Sequence, residues 1–192
     1  MTRKKYVITA TAAVLLLALY LIIFGFSAQD GEQSGSLSQL ISEKCVEFIN
    51  RLSGRHWSQV FMENLAEYFE HPIRKLAHFS EYACMGILVY ALWSQWLKQG
   101  RRLYLLTVAW VFLSAAADEF HQLFVPGRYG SFWDVCLDTC GGAFGLLLCV
   151  LAGRLRRHFE GRKQAVPAGK PEKHFRGGKA RRGNDKSQAA EK

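Results

Sequence analysis

Five acidic side chains lie within or beside apolar segments that are long enough to cross a membrane: Glu81, Asp118, Glu119, Asp134 and Asp138. A charge in hydrocarbon costs at least about 2.5–3.5 kcal/mol on insertion scales, so such residues usually mark a polar site or a network of buried ion pairs. Carboxylates of this kind can bind a cation, pair with basic side chains, or serve as acid and base in catalysis. Their positions predict where this protein acts more than what it does there.

Residues that are one helical turn apart share a face of a helix, and three such groups contain the acids. The groups are Arg74, Lys75, His78, Glu81 and Tyr82; Ser114, Asp118, Glu119, His121 and Gln122; and Asp134 and Asp138, which lead into Gly141 and Gly145. The Gly141-x-x-x-Gly145 pattern is a close-packing motif of membrane helices. The two acids on that face are therefore expected to point into a helix bundle rather than at lipid.

The charges of these groups do not balance, because five acids stand against only Arg74, Lys75 and Arg128, which leaves a formal −2. Unpaired buried charge is not tolerated, so a histidine is protonated, a carboxyl group is neutral, or a cation is bound. Carboxylates with water suit magnesium or calcium, which makes a divalent cation one candidate, and no other cofactor is expected. The alternative is a purely structural ion-pair network that fixes the helix register.

Signatures of familiar catalytic sites are absent from the sequence, including HExxH, GxSxG and the P-loop, and the five cysteines include no CxxC pair. His78 and Glu81 share a helix face and could act as a base and its orienting acid. A histidine beside a membrane-embedded carboxylate is more often a hydrogen-bonded structural partner. Whether the chain is an enzyme therefore stays open.

Four apolar runs can position these residues, since about 20 residues cross a bilayer as a helix. They cover residues 6–26, 76–97, 103–124 and 132–151. Lipid cannot hydrogen-bond a backbone, so the expected fold is all-α, an integral membrane four-helix bundle over residues 1–152. The first run is about twice as long as the apolar core of a signal peptide, so we expect a retained anchor.

Basic residues that flank the runs predict the orientation of the bundle. They are Arg3, Lys4, Lys5, Lys98, Arg101, Arg102, Arg154, Arg156 and Arg157. If every run crosses the membrane, these residues all lie on one side, which places both termini in the cytoplasm. The segment 27–75, the loop 125–131 and all five acids then lie at the outer face.

The outer segment 27–75 contains two amphipathic stripes with helical spacing. The first consists of Leu37, Leu40, Ile41, Cys45, Phe48, Ile49 and Leu52, and the second of Trp57, Val60, Phe61, Leu65 and Tyr68. Ser36 followed by Gln39 indicates where the first helix begins. Both helices are expected to lie in the headgroup plane or to cap the outer ends of the bundle.

The segment 153–192 carries the entire net charge of +9. It is rich in Lys, Arg, Gly and Ala and cannot bury enough apolar surface to fold, so a disordered cytoplasmic tail is expected. A polybasic segment beside a membrane is attracted to anionic lipid. Nucleic-acid binding is not expected, because Phe175 is the lone aromatic residue in the basic run from residue 162 onward.

Four ordered motifs between residues 26 and 145 resemble the VanZ-like family of bacterial membrane proteins. They are Phe26-Ser27-Ala28-Gln29; Arg74-Lys75-x-x-His78-Phe79-x-Glu81-Tyr82; Asp118-Glu119-x-His121-Gln122; and Pro126-Gly127-Arg128-x-x-Ser131-x-x-Asp134-x-x-x-Asp138-x-x-Gly141. The resemblance implies a multi-pass protein of the bacterial cell membrane. The family's namesake is associated with resistance to the glycopeptide antibiotic teicoplanin, through reduced binding of the drug to the cell surface.

The residues expected to form an outer polar site are Gln29, Arg74, Lys75, His78, Glu81, Tyr82, Asp118, Glu119, Gln122, Arg128, Ser131, Asp134 and Asp138. Such a site in the lipid bilayer would meet a lipid-linked cell-wall precursor or a lipoglycopeptide. The alternative is an enzyme that modifies a lipid headgroup or a wall component through the carboxylates. A transporter is disfavoured, because the inner halves of the runs are apolar apart from Ser94 and Gln95.

Overall fold

The computed structural model describes residues 3–29 and 31–164, with the side chains of residues 31–34 and 161–164 left out of the description. All regular secondary structure in these residues is helical: α1 (Arg3–Ser27), α2 (Gly31–Ser53), α3 (Gln59–Trp93), α4 (Arg101–Gln122) and α5 (Phe132–Gln164). This confirms the all-α fold. The chain divides into two units, Met1–Arg156 and Arg157–Lys192, and the second contributes only the end of α5 to the described residues.

Three helices in the described part of the chain are long and apolar enough to cross a membrane: Arg3–Ser27, Arg101–Gln122 and Phe132–Glu160. They correspond to the first, third and fourth predicted spans, of which the third ends two residues earlier than predicted. The second predicted span lies mostly in α3, which does not meet the same criterion because His78, Glu81 and the charged residues before them lower its apolar content. A crossing by four helices therefore stays a prediction.

The second amphipathic stripe and the second apolar run form one helix rather than two. The Oγ of Ser58 accepts a hydrogen bond of 3.3 Å from the backbone N–H of Phe61, and the helix then continues through Pro72 to Trp93. Proline cannot donate to the carbonyl of Tyr68, but no second proline follows, and Gly86 lies inside the helix without ending it. The prediction of a separate outer helix over residues 57–68 is therefore wrong.

The amphipathic helix α2 starts earlier than predicted and buries a different face. It begins at Gly31, so Ser36 does not cap it, because the chain turns directly from α1 into α2 and no proline blocks the residues before Ser36. The small residues Ser38, Ser42 and Val46 are buried on the side where α2 packs against α3. The predicted apolar stripe faces outward, with Leu40 exposed by 52% and Leu52 by 72%.

Glycines allow the closest contacts between the long helices. At three glycines, an added Cβ would collide with the backbone of the neighbouring helix. These contacts are Gly141 against Phe79, Gly145 against Ala83, and Gly86 against Gly142. Helix α5 therefore packs directly on α3, and the predicted close-packing role of Gly141 and Gly145 is confirmed. The same contact turns the side chain of Asp138 inward, three residues before Gly141 and on the same face, where it is 1% exposed.

Helix α1 packs against α3 and α4. The Tyr20 hydroxyl and the Ser114 hydroxyl are 2.6 Å apart, and the Trp110 Nε1 donates to the Tyr20 hydroxyl at 2.9 Å. Nearer the end of both helices, the ring of Phe24 lies 4.7 Å from the ring of His121. These contacts require α1 and α4 to run in the same direction, as an alternating topology predicts.

Helix α5 extends to Gln164, beyond the end expected at residue 152. Residues 153–164 are therefore helical rather than disordered, since no proline or further glycine interrupts α5 until Gly161, which the helix tolerates. The remainder of the expected disordered tail, residues 165–192, lies outside the described residues. The domain boundary itself stays a prediction.

Candidate functional site

A cavity of about 470 Å³ opens where the first half of α3, the end of α4 and the start of α5 meet. Eight of the predicted site residues line this polar cavity: Arg74, Lys75, His78, Glu119, Gln122, Arg128, Asp134 and Asp138. The remaining lining residues are Gly35, Glu70, His71, Gly127, Tyr129 and Leu137. The structure therefore brings these eight residues from α3, α4, α5 and the loop before α5 to one cavity, and their role in binding stays a prediction.

The loop between α4 and α5 carries Arg128 to the cavity wall. Gly127 has φ of 73°, in the left-handed region that other residues rarely adopt, and this turn brings the chain back toward α1. The Nη2 of Arg128 donates a hydrogen bond of 2.9 Å to the carbonyl of Phe26. The loop is thus attached to the last turn of α1, and the guanidinium group is held at the cavity.

Glu119 orients the start of α5. Its Oε2 accepts a hydrogen bond of 2.8 Å from the backbone N–H of Ser131. The carbonyl of Ser131 in turn accepts from the N–H groups of Asp134 at 3.0 Å and Val135 at 3.2 Å, which are the first bonds of the helix. Ser131 therefore acts through its backbone as a positioning residue and does not line the polar cavity.

Ion pairs connect the helices around the cavity. Lys75 on α3 pairs with Asp134 on α5. Arg74 Nη2 lies 3.7 Å from Oε1 of Glu70, and the same carboxylate oxygen accepts a hydrogen bond of 2.5 Å from the hydroxyl of Ser38 on α2. Part of the polar constellation is therefore structural, since it ties α2 and α5 to α3.

Asp138 and His78 in the cavity wall have unmet hydrogen-bonding capacity. Neither carboxylate oxygen of Asp138 has a hydrogen-bond partner among the described residues, although both are buried. The Nδ1 of His78 also lacks one within the described part of the chain, since the nearest oxygen of Glu81 is 3.8 Å away. Buried polar groups are normally paired, so these two side chains of the cavity wall are the candidates for contact with water or a ligand.

A side cavity of about 150 Å³ adjoins the polar cavity. It is lined by Phe26, Gln29, Leu37, Ser38, Ile41, Ile73, Arg74, Ala77, His78, Glu81 and Arg128. This placement accounts for Gln29 and Glu81, two predicted site residues that are missing from the polar cavity. Arg74, His78 and Arg128 belong to both cavities and form a shared wall between them.

Asp118 and Tyr82 do not line the polar cavity, although Asp118 interacts electrostatically with His78 and Asp138, so one common cluster stays a prediction. They line a groove of about 510 Å³ between α1 and α4, together with Tyr20, Ile23, Phe24, Trp110, Leu113, Ser114, Ala117 and His121. Asp118 lies on the side of α4 that faces α1, and its neighbours Glu119 and Gln122 reach the polar cavity. One hydrogen bond of 3.2 Å connects the two sites, from Gln122 Nε2 to Asp118 Oδ2.

Glu70, His71 and Tyr129 line the polar cavity although the sequence reasoning did not select them. Glu70 and His71 lie one turn before Arg74 and Lys75, so the same helical spacing would have identified them had α3 been expected to extend through Pro72. Tyr129 is 90% exposed in the loop, and no sequence pattern marks it.

The charge on the cavity wall is close to balanced. Four acids and three bases line it, which leaves a formal −1, with two histidines beside them. In the part of the chain that is described, no group of three or more His, Cys, Asp or Glu side chains is arranged to hold a metal ion. The divalent cation considered from the sequence stays a prediction.

The family model described as VanZ/LLP1 matches residues 12–153 of the chain. No curated protein and no solved structure matches this chain. The matched region contains all of α2, α3 and α4, most of α1, and α5 to Gly153. Both cavities and the groove lie within it.

Proposed function

Since this chain belongs to the VanZ/LLP1 family, we propose that it is an envelope protein whose polar cavity binds an amphipathic cell-wall molecule, such as a lipid-linked precursor. The family and the three span-capable helices together indicate a membrane protein. The observation that carries the binding proposal is the buried carboxylate of Asp138, which faces a cavity of about 470 Å³ without a partner among the described residues.

A network with only a structural role would satisfy its own hydrogen bonds. Lys75 with Asp134 and Glu119 with Ser131 behave in this way. Asp138 and His78 do not, and they line a cavity of the size that small-molecule sites usually have, about 300–1,000 Å³. Mixed charges on the wall suit a polar head group better than a hydrocarbon chain.

We place the polar cavity at the outer face of the membrane, with both termini in the cytoplasm. In this topology α3 also crosses the membrane, together with the three span-capable helices. The basic flanks of the apolar runs support this orientation. The outward apolar face of α2 supports it as well, because residues such as Leu52 are left uncovered by the described part of the chain and would be buried in the headgroup region. The cavity then opens where cell-wall precursors are used.

Photo-crosslinking in living cells tests the binding proposal. A photoreactive amino acid at Leu137, in the cavity wall, is compared with one at Leu147, which is 50% exposed on the same helix. We expect position 137 to capture an amphiphile that position 147 does not, and Asp138→Asn to reduce that capture. Identical lipid adducts at the two positions would contradict a specific site.

An effect on glycopeptides follows if the captured molecule is the precursor that those antibiotics recognise. Cells that express the chain would then bind less teicoplanin and grow at higher drug concentrations. The variants Asp118→Asn, Asp134→Asn and Asp138→Asn separate the sites, with protein level in the membrane measured alongside. Loss of resistance in Asp118→Asn alone would place the activity in the groove rather than in the polar cavity.

The second candidate function is an enzyme that modifies a lipid headgroup or a wall component. The presence of Asp138 and His78 in the lining of one cavity favours it, because both have buried atoms without partners in the described residues. Incubation of the purified protein with membrane lipids, with and without magnesium or a chelator, distinguishes the two functions. A product detected by mass spectrometry would establish catalysis, and capture without a product would establish binding.

A further inference from the structure

The shared wall separates two cavities of different chemical character. On one side, the polar cavity contains most of the charged side chains of the site. On the other side, the side cavity has mainly apolar walls, made by Phe26, Leu37, Ile41, Ile73 and Ala77, with Gln29, Ser38 and Glu81 as its remaining polar lining. Arg74, His78 and Arg128 lie at the boundary, so a ligand that occupies both cavities must pass two guanidinium groups.

The two arginines are well suited to an anionic group at this boundary. Lys75 is paired with Asp134, which neutralises it. The Nη2 of Arg74 is 3.7 Å from Oε1 of Glu70, which is longer than a hydrogen bond. This ion pair therefore does not satisfy the N–H donors of Arg74. Arg128 is oriented by its bond to the carbonyl of Phe26. Planar guanidinium groups bind phosphate and carboxylate with paired, charge-assisted hydrogen bonds.

An anionic group at the shared wall must be connected to ligand atoms in both cavities, and this requirement favours phosphate over carboxylate. A carboxylate ends a chain and has a substituent on one side only. A phosphodiester or a pyrophosphate has one substituent on each side, as the shared wall requires. The 150 Å³ side cavity accommodates the start of a hydrocarbon chain, and the polar cavity of about 470 Å³ accommodates a larger head group.

The hydrocarbon chain has a route from the side cavity to the bilayer. Leu37 and Ile41 line the side cavity, and they also belong to the outward apolar face of α2, with substantial exposed surface. A chain that starts between α2 and α3 can therefore continue along this face into lipid. At the opposite end of the ligand, the oxygens of Asp138, which lack partners among the described residues, can accept hydrogen bonds from hydroxyl, amide or amine groups of the head.

We propose that the ligand is a phosphodiester- or pyrophosphate-linked lipid, bound with its phosphate at the wall formed by Arg74, His78 and Arg128. Its chain occupies the side cavity, and its hydrogen-bond-donating head occupies the polar cavity. This inference rests on the proposed binding function and specifies the chemical class of the ligand.

Three soluble probes test the class with the purified full chain in dodecyl maltoside. Lysophosphatidylglycerol has the chain, the phosphodiester and a hydroxyl-bearing head. Monoacylglycerol lacks the phosphate, and glycerol phosphate lacks the chain. We expect lysophosphatidylglycerol to bind at least about tenfold more tightly than either of the other two, measured by native mass spectrometry and by thermal shift.

Matched variants locate the binding. Arg74→Gln removes a guanidinium from the shared wall, and Arg51→Gln removes an exposed one from the end of α2. Ala77→Leu narrows the side cavity, and Ala109→Leu adds the same volume at an exposed site on α4. We expect each wall variant to weaken lysophosphatidylglycerol at least about tenfold and each control to leave it unchanged, with folding checked by the thermal transition. If one wall variant does not fold, the other still tests the wall.

Four results would overturn the inference. Equal binding of monoacylglycerol would show that the phosphate is not recognised, and equal binding of glycerol phosphate would indicate a free-phosphate site. Unchanged affinity in the folded wall variants would place the lipid elsewhere. Capture at Leu137 that depends on Asp138 but not on Arg74 would leave the proposed binding function intact and refute only the ligand class. Absence of any capture at Leu137 would instead refute the binding function itself.

Discussion

Replacement of Asp138 by leucine is expected to stabilise the protein while it removes the function. Leucine branches at Cγ as aspartate does, so Asp138→Leu exchanges two buried oxygens for two larger methyl groups, for which the adjoining cavity provides room. Both oxygens lack partners among the described residues, and the side chain is 1% exposed. An unsatisfied buried polar group costs about 1–3 kcal/mol, and more when it is charged.

The expected gain in the free energy of unfolding is therefore about 1–3 kcal/mol, or a factor of about five or more in the folding equilibrium. The matched control is Asp134→Leu on the same helix. Asp134 pairs with Lys75, and their side chains are 31% and 36% exposed. Loss of such a partly solvated pair costs about 0.2–1 kcal/mol, so the same chemical change should act in the opposite direction.

Unfolding of the purified variants in mixed micelles, with increasing sodium dodecyl sulfate, measures both free energies. The crosslinking yield at Leu137 measures ligand capture by the same variants. Stabilisation together with lost capture would identify Asp138 as a residue retained for binding at a cost in stability. If Asp138→Leu is destabilised by more than about 1 kcal/mol, the carboxylate has a structural partner and the reasoning from its unmet hydrogen bonds is wrong.

Further predictions concern packing, topology and the tail. Gly145→Ala should be less stable than Gly153→Ala by about 1–3 kcal/mol, because both change helix propensity equally but a Cβ at Gly145 alone meets the backbone of α3; equal stability would refute the close packing. Cysteines at Lys98 and Gln59 should be labelled from the inside and the outside of cells, respectively, and labelling of position 98 from outside would overturn the topology. Deletion of residues 162–192 should leave membrane level and capture intact, and loss of the folded protein would show that the tail is structural.

Much of this arrangement was predictable from local periodicity. Apolar runs of membrane length predicted helices, and the position of Asp138 one turn before Gly141 predicted that its side chain faces another helix. The short loop after α4 predicted that Glu119 and Asp134 would lie near each other. These inferences succeed because the 3.6-residue period determines which side chains share a helix face.

Periodicity does not determine which neighbour a face meets, and here only the tertiary structure decided the outcome. Asp118 and Glu119 are adjacent in sequence, yet one lines the groove beside α1 and the other the polar cavity. The helix α2 buries Ser38, Ser42 and Val46 and turns its leucines outward, whereas a helix that packs on an apolar core is expected to bury its leucines. The convergence of Arg74 and Arg128 at one wall depends on the loop's attachment to α1, a contact between residues 102 positions apart. Long-range packing of this kind leaves no local pattern, so the sequence predicted the polar residues but not how the fold divides them among two cavities and a groove.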